Sequence, residues 1–340
     1  MQRGGEALSL RFRPHAAVWA ATAGERAAVD VVMRTRDRPR FLARACRGLA
    51  AQTFRPIHAI VVNDGGDLDA VRAIVDRELA GSGVTSEIVH LATAVGAAAA
   101  INPGVAAGRR KYFVIHDDDN TWDPAFLAET TAVLDSPDGL AYGAALSHGD
   151  QIVEEVTATG IRTIEARPYW RLPAVSLFHV LSQYDNPLIN GLLCRRALLD
   201  AIGPFDDRLL TNDWEFIARV LIAGEIAVVP KVLAFWHVRT GVGPGDPDAN
   251  ATQSLGAQYP VDRTVHFNQL LRDEIAAGRI GFGLLAHLSS GEIGLARQLV
   301  RLQASVDALA GRLDALAAPR ASPLQRFLHR LGLRRLPPSP

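Results

Sequence analysis

Between Val29 and Ile115 short apolar runs alternate with longer amphipathic ones, and this order leaves few folds open. Val29 to Met33, Ile57 to Val62, Ser86 to Leu91 and Tyr112 to Ile115 have the length and side-chain character of strands. Phe41 to Phe54, Leu68 to Leu79 and Val95 to Ala107 read as helices. Leu68, Val71, Ile74, Val75 and Leu79 share one face of the second, while Pro103 interrupts the third. A β-α-β-α-β-α-β series predicts an α/β fold with a doubly wound, mainly parallel sheet and right-handed crossovers. Ligands of such sheets bind at the carboxyl ends of the strands. Acid-bearing loops fall there at Asp37, at Asp64 and at the run His116-Asp117-Asp118-Asp119-Asn120.

Three adjacent carboxylates repel one another and are costly beside a buried strand unless a cation offsets them. Taken alone, the run allows two readings. It is a site for Mg²⁺ or Mn²⁺, which take oxygen ligands and bridge one or two carboxylates to phosphates. Alternatively it is an Asp-Asn turn whose side chains cap the next helix.

Composition narrows the function classes. The 340 residues suit one large α/β domain with an extension, or two modest domains, and a formal net charge of zero gives no reason to expect a nucleic-acid partner. Cys46 and Cys194 stand far apart in apolar surroundings and read as buried thiols. Met1 to Glu6 lacks the apolar core of a signal peptide, and no run approaches the ~20 apolar residues that span a bilayer. A cytoplasmic protein is expected, with attachment at the inner face of the plasma membrane as the further option.

After residue 138 the pattern changes. Asp150 to Val156 and Gly160 to Arg167 read as a hairpin. Ala174 to Gln183, Arg195 to Ile202 and Trp214 to Ala223 read as helices, and Val228-Val229 and Val232 to Trp236 as strands. Leu295, Leu299, Leu302, Val306, Leu309, Leu313 and Leu316 form a heptad seam. Residues 293–318 are therefore expected either to make a coiled coil, and with it a homo-oligomer, or to pack on their own domain. Residues 320–335 mix Arg with Leu and Phe. They are expected to be a basic amphipathic helix in peripheral contact with an anionic membrane, a partner-binding helix, or a solvated end.

Several ordered segments together resemble the family-2 glycosyltransferases, inverting enzymes of the GT-A fold, from about Val29 to His237. VDVVMRTRDRPRFLARACRGLAAQT is similar to that family's opening strand, loop and helix, and IHAIVVNDGGD to its second strand. VGAAAAINPGVAAGRRKYFVIHDDDNTWDP resembles its Asp-x-Asp loop with the preceding helix and strand. LINGLLCRRALLDAIGPFDDRLLTNDWEFIARVLIAGEIAVVP resembles its acceptor-side segment.

The resemblance implies roles. Thr35 and Asp37 match positions lining the base and ribose of a nucleotide. Asp64 matches the carboxylate that accepts from the base imide. Asn102 and Asp118 fall with the nucleotide-binding set, Asp118 being the spacer between the metal pair Asp117 and Asp119. Asp213 matches the general base that takes the acceptor hydroxyl proton; read on its own, it is a first-turn acid on a helix dipole. His237 matches a metal or diphosphate ligand of some members; alone, it is a hydrogen-bonded His after a strand. Trp214 and Trp236 either stack on a sugar or belong to the core.

The chain departs from the pattern at Ile101, where many members carry Arg. Arg34, Arg36, Arg38 and Arg40 crowd the first loop and either compensate or are solvated. The absence of a QxxRW segment points to transfer of single sugars.

The resulting expectation is a Mn²⁺- or Mg²⁺-dependent enzyme. It would move a sugar from a nucleotide donor, UDP-sugar ahead of GDP- or dTDP-sugar, to a hydroxyl of a glycan or lipid-linked acceptor. The expected layout is an extension at 1–28, then a catalytic domain at 29–248 with a nucleotide and metal half (29–137) and an acceptor half (138–248). A helical segment at 249–318 and a basic tail at 319–340 follow. The rivals are a sugar-phosphate nucleotidyltransferase and a catalytically silent scaffold of glycan assembly.

Overall fold

The computed structural model describes residues 28–157, 160–182, 187–243, 245–281 and 298–310. The expected extension at 1–28 (Ala28 apart), the tail at 319–340 and residues 293–297 and 311–318 of the heptad seam lie outside them. The chain divides into two units, Met1–His266 and Phe267–Pro340.

The first unit is built on one mixed sheet. The expected parallel part is present: β1 (Val29–Thr35) lies between β2 (Ile57–Asp64) and β4 (Tyr112–Asp117), and β3 (Val84–Leu91) flanks β2. β8 (Leu192–Arg195) runs antiparallel to both β4 and β6 (Tyr142–Thr157). β9 (Glu225–Thr240) lies parallel to β6, β7 (Gly160–Trp170) antiparallel to it, and the two-residue β5 (Thr121–Trp122) antiparallel to β9.

Register brings the acid loops to one edge. Arg34 pairs with Asp117, Thr35 with Asn63, and Asp64 with Leu91, so three strands end level with one another. Their apolar alternation fills both faces, as a parallel sheet covered by helices requires. Val31, Met33, Val61 and Val114 pack with Leu42, Cys46 and Leu49 of helix α1 (Pro39–Ala50). On the other face, Val32 and Val62 meet helix α3 (Ile101–Ala107) at Gly104. Helix α2 (Leu68–Leu79) buries Val71, Ile74, Val75 and Leu79, the face read from the sequence, and Asp67 caps it through Asp69 N and Ala70 N.

Several boundaries differ from expectation. Helix α1 starts earlier, at Pro39, because the fixed φ of proline suits a first helical residue. Helix α3 is much shorter than Val95–Ala107. Val95 and Gly96 give their N–H groups to Asp64 instead of to a helix, and Pro103 then sits in the first turn, where its missing donor costs nothing. Helix α5 occupies only Leu177–Ser182 and α6 only Leu198–Ile202, Arg195 being the last residue of β8. The hairpin strands are longer than expected, and the two short strands of 228–236 are one continuous β9 that absorbs its irregularities as register shifts against β6. Helix α4 (Phe126–Asp135) follows β5, and helix α7 (Asn212–Ala223) begins two residues before the expected Trp214.

In the second unit, residues 298–310 are helical, and the seam residues Leu299, Leu302, Val306 and Leu309 are exposed. No helix among the described residues is long and apolar enough to cross a membrane.

The close approach of α3 to the sheet depends on Gly104. A Cβ there would stand 2.5 Å from Val32 Cγ1 and 2.7 Å from Val62 Cγ2. Gly104→Ala is expected to destabilise the fold by about 1–3 kcal/mol despite the better helix propensity of alanine, read as a lower midpoint of denaturant unfolding.

Candidate functional site

The cations that offset the acidic run are arginines. Arg38, in the loop after β1, grips Asp118: Nη2 meets Oδ1, and Nε donates to Oδ2 at 3.2 Å. Thr35 Oγ1 donates to Asp118 Oδ2 at 2.7 Å, and that carboxylate is fully buried. Asp119 Oδ2 accepts from Arg239 Nη2 at 2.6 Å, Arg38 Nη1 at 3.3 Å and Asn250 Nδ2 at 3.4 Å. Asp117 lies nearer the surface and accepts from Arg34 Nε at 2.7 Å. Burial pushes Asp118 above the usual carboxylate range. It pushes Asp119 the same way, but Arg38 and Arg239 outweigh it and hold that group low.

Behind the run a second network holds the loop. Glu154 of β6, itself buried, accepts from Arg44 Nη1 at 2.7 Å and meets His237 Nδ1 at 2.8 Å. His237 Nε2 meets Thr121 Oγ1 at 2.7 Å. A neutral imidazole donating to Glu154 and accepting from Thr121 satisfies both contacts. Burial lowers the His237 pKa, which agrees with that form. His237, expected from the resemblance as a metal or diphosphate ligand, thus meets a protein partner at each ring nitrogen.

The remaining residues fall into place unevenly. Asp64 uses both carboxylate oxygens to hold Val95 N (2.6 Å) and Gly96 N (3.0 Å). Asp37 has φ 52°, a left-handed conformation that Asp tolerates better than most residues, and its Oδ1 accepts from Asp67 N at 3.3 Å. Gly66 packs against it so closely that a Cβ would stand 2.7 Å from Asp37 Oδ1. Asn102 is not brought to the site: its amide exchanges both hydrogen bonds with the backbone of Phe205, at 2.8 and 3.1 Å. Trp214 is buried with its indole N–H on Val180 O, so it belongs to the core. Trp236 meets Tyr169 edge-on at 5.2 Å.

Asp213 stands in the first turn of α7 and accepts from Trp214 N at 2.7 Å. Burial raises its pKa, the Trp214 N–H and Arg34 oppose the rise, and Asp117 adds to it. Arg34 thus lies in the field of Asp117, Asp213 and Asp119 together. Arg34 and Arg38 were visible in the sequence as a crowded loop. Arg44, Glu154, Arg239 and Asn250 were missed, because a charged residue within a strand or helix carries no local sign of which partner the fold will bring to it.

No group of three or more His, Cys, Asp or Glu side chains among the described residues forms a metal cage. The donor set nonetheless fits a divalent ion shared with a ligand. Every side-chain hydrogen bond to Asp119 from the described residues falls on Oδ2, leaving Oδ1 as a hard oxygen donor, and Asp117 Oδ2 has only a 3.5 Å contact with Asn120. Mg²⁺ is commonly held by one or two carboxylates while phosphates and water complete its shell.

Residues 30–186 match the family model described as "Glycosyl transferase family 2". Over those residues the chain is similar to the family-2 glycosyltransferases. It is 25% identical over 272 residues to an uncharacterized glycosyltransferase of Nostoc sp., covering 77% of this chain and 79% of that protein. It is also 25% identical over 233 residues to the uncharacterized glycosyltransferase YwdF of Bacillus subtilis, covering 68% and 79%. Among solved structures it is similar to S. aureus TarS residues 1–349 in complex with UDP-GlcNAc, at 18% identity and TM-score 0.49. That likeness covers 63% of this chain, which spans only 60% of the TarS chain. The mannosyltransferase PcManGT from Pyrobaculum calidifontis, in complex with GDP-Man and Mn²⁺, is 16% identical with TM-score 0.48, covering 88% and 92%.

His116 gives the site a pH sensitivity of its own. It is fully buried, stacks on Trp122 at 4.0 Å, and among the described residues has no hydrogen-bond partner on either ring nitrogen. Burial lowers its pKa from 6.5 to about 4. Between these values the unfolded chain binds the proton and the folded chain does not, so stability falls as pH drops through that window, by up to about 3 kcal/mol. His116→Phe keeps the stack and removes the titrating group. Its melting temperature is expected to exceed that of the unaltered protein by a margin that widens from pH 7 to pH 4.5.

Proposed function

We propose that the chain transfers single sugars, with inversion, from a nucleotide-diphosphate-sugar to a hydroxyl of a glycan or lipid-linked acceptor. The observation that carries this reading is Asp117 at the carboxyl end of β4, held by Arg34 Nε at 2.7 Å, with Asp213 in the field of the same guanidinium. One group of the cluster suits a leaving diphosphate and another suits an incoming hydroxyl.

Thr35, Asp37 and Asp64 line the nucleotide side of this reading, where the carboxylates accept hydrogen bonds from base and ribose. Asp117 and Asp119 would hold Mn²⁺ or Mg²⁺, which when bound supplies charge neutralisation to the diphosphate. Arg34 adds a fixed positive charge at the same place, in the role for which Ile101 is unsuited. Asp213 takes the proton of the acceptor hydroxyl as that oxygen attacks the anomeric carbon. Its raised pKa moves it toward the range where a general base works best. Direct displacement needs no covalent intermediate, and the cysteines offer no nucleophile: Cys46 and Cys194 are buried, and burial pushes the Cys46 thiol up to about 12. UDP-sugars are the first donors to test, GDP- and dTDP-sugars the next.

Melting temperature measured with UDP, GDP, dTDP or CDP, with and without Mn²⁺, tests the donor side. One nucleotide is expected to stabilise the protein more when Mn²⁺ is present, by about 2.7 kcal/mol at a hundredfold excess over its Kd. A flat response to all four would sink the reading. Asp213→Asn is expected to keep that response while transfer slows by about 10²–10⁴-fold. Transfer at an undiminished rate would remove Asp213 from the mechanism.

A further inference from the structure

Helix α8 (Tyr259–Ala276) starts beyond the family match and beyond residue 248, where the sequence reading ended the catalytic domain. Its first turns nevertheless grip the start of α7. Asp262 Oδ2 accepts from Leu210 N at 3.0 Å, from Thr211 N at 3.4 Å and from Thr211 Oγ1 at 3.3 Å. His266, one turn on, meets Trp214 edge-on at 6.5 Å. Tyr259, one turn back, is pushed up to about 12 by burial and then by Asp213, so its phenol lies in the field of that carboxylate.

Asp213 is the second residue of α7, and its direction depends on where the helix begins. The N-cap, Thr211, makes no side-chain cap bond to its own helix. Its hydroxyl and backbone N–H are turned to Asp262 instead. From the other side, Asn212 Nδ2 donates to Ala98 O at 3.1 Å, tying the same turn to the loop that Asp64 holds. The start of α7 is therefore clamped from two directions, and the Asp262 side comes from a segment outside the family match.

We propose that Asp262 is a positioning residue for Asp213: by anchoring Leu210 and Thr211 it sets the direction from which the Asp213 carboxylate meets an acceptor hydroxyl. The proposal rests on the reading of Asp213 as general base. A carboxylate suits the task because one oxygen accepts several N–H and O–H bonds, and its charge favours the helix N-terminus it faces. A misplacement of about 1 Å at a reacting group costs on the order of 10²-fold in rate, so a clamp of this kind acts on kcat.

The test uses the full chain and whichever of UDP, GDP, dTDP or CDP stabilises it. The activity probe is release of that nucleotide from its glucose conjugate, with water as acceptor. Asp262→Ala is expected to lower kcat about 10–100-fold, with KM for the donor and nucleotide-induced stabilisation unchanged. Asp262→Asn, which keeps an accepting oxygen, is expected to stay within about 3-fold of the unaltered protein. In an Asp213→Asn background the Asp262→Ala change is expected to have no further effect, because the group it aims is gone. Should Asp262→Ala fail to fold, Thr211→Val removes one donor and is expected to show a smaller, equally non-additive loss of kcat. The same fold-loss in both backgrounds, or loss of nucleotide stabilisation, would make Asp262 a structural residue and overturn the proposal while leaving the base assignment intact. Undiminished release by Asp213→Asn alone would overturn both.

Discussion

Two neighbouring carboxylates, Asp118 and Asp119, are buried at the end of β4, and the surrounding site is organised by the need to offset them. A buried charge is tolerated only when paired and hydrogen-bonded, and removing one partner typically costs about 3–5 kcal/mol. Arg38 arrives from the loop after β1, Arg239 from the end of β9, and Asn250 from the segment beyond it. Such pairs seldom add net stability over an apolar filling of the same space. What they supply here is position: the acidic loop is gripped by residues far apart in the chain, so its oxygens have one set of places to be.

The charges divide into a front and a back. In front, Asp117 is partly exposed and pairs with Arg34, whose guanidinium also lies in the field of Asp213. At the back, Arg44, Glu154, His237 and Thr121 form a closed chain of hydrogen bonds that ends on the strand following the loop. The front keeps accessible acceptors for a ligand, whereas the back consumes its own. This division explains why His237 and Asp117, both placed at the metal by family resemblance, have such different surroundings.

Much of this fold was legible in the sequence, because a parallel sheet covered on both faces writes itself as dense apolar runs. The paired ends of β1, β2 and β4 follow from those runs together with the loops that close them. Less legible was whatever depends on a partner distant in sequence. Val95 to Ala100 has the composition of a helix, yet Asp64 takes the N–H groups of Val95 and Gly96. Asn102 sits where a nucleotide contact was expected, yet its amide pairs with Phe205. Arg239 and Glu154 look like ordinary polar residues of long strands until the pairing of β6 with β9 buries them together. In each case a local preference was overruled by a hydrogen bond closed through the tertiary fold.

The pairing of Asp119 with Arg239 and Asn250 bears on how the chain is made. During synthesis, residues 29–137 leave the ribosome with the acidic run and Arg38 but without the last strand. Asp119 then lacks Arg239 and Asn250, and Glu154 is not yet there to receive Arg44. Residues 29–137 therefore should not reach their final electrostatic state as a free-standing module; the site closes only when β9 has been delivered and laid beside β6. Grafting these residues onto a foreign partner would leave Asp119 uncompensated, unless that partner brought its own guanidinium to it.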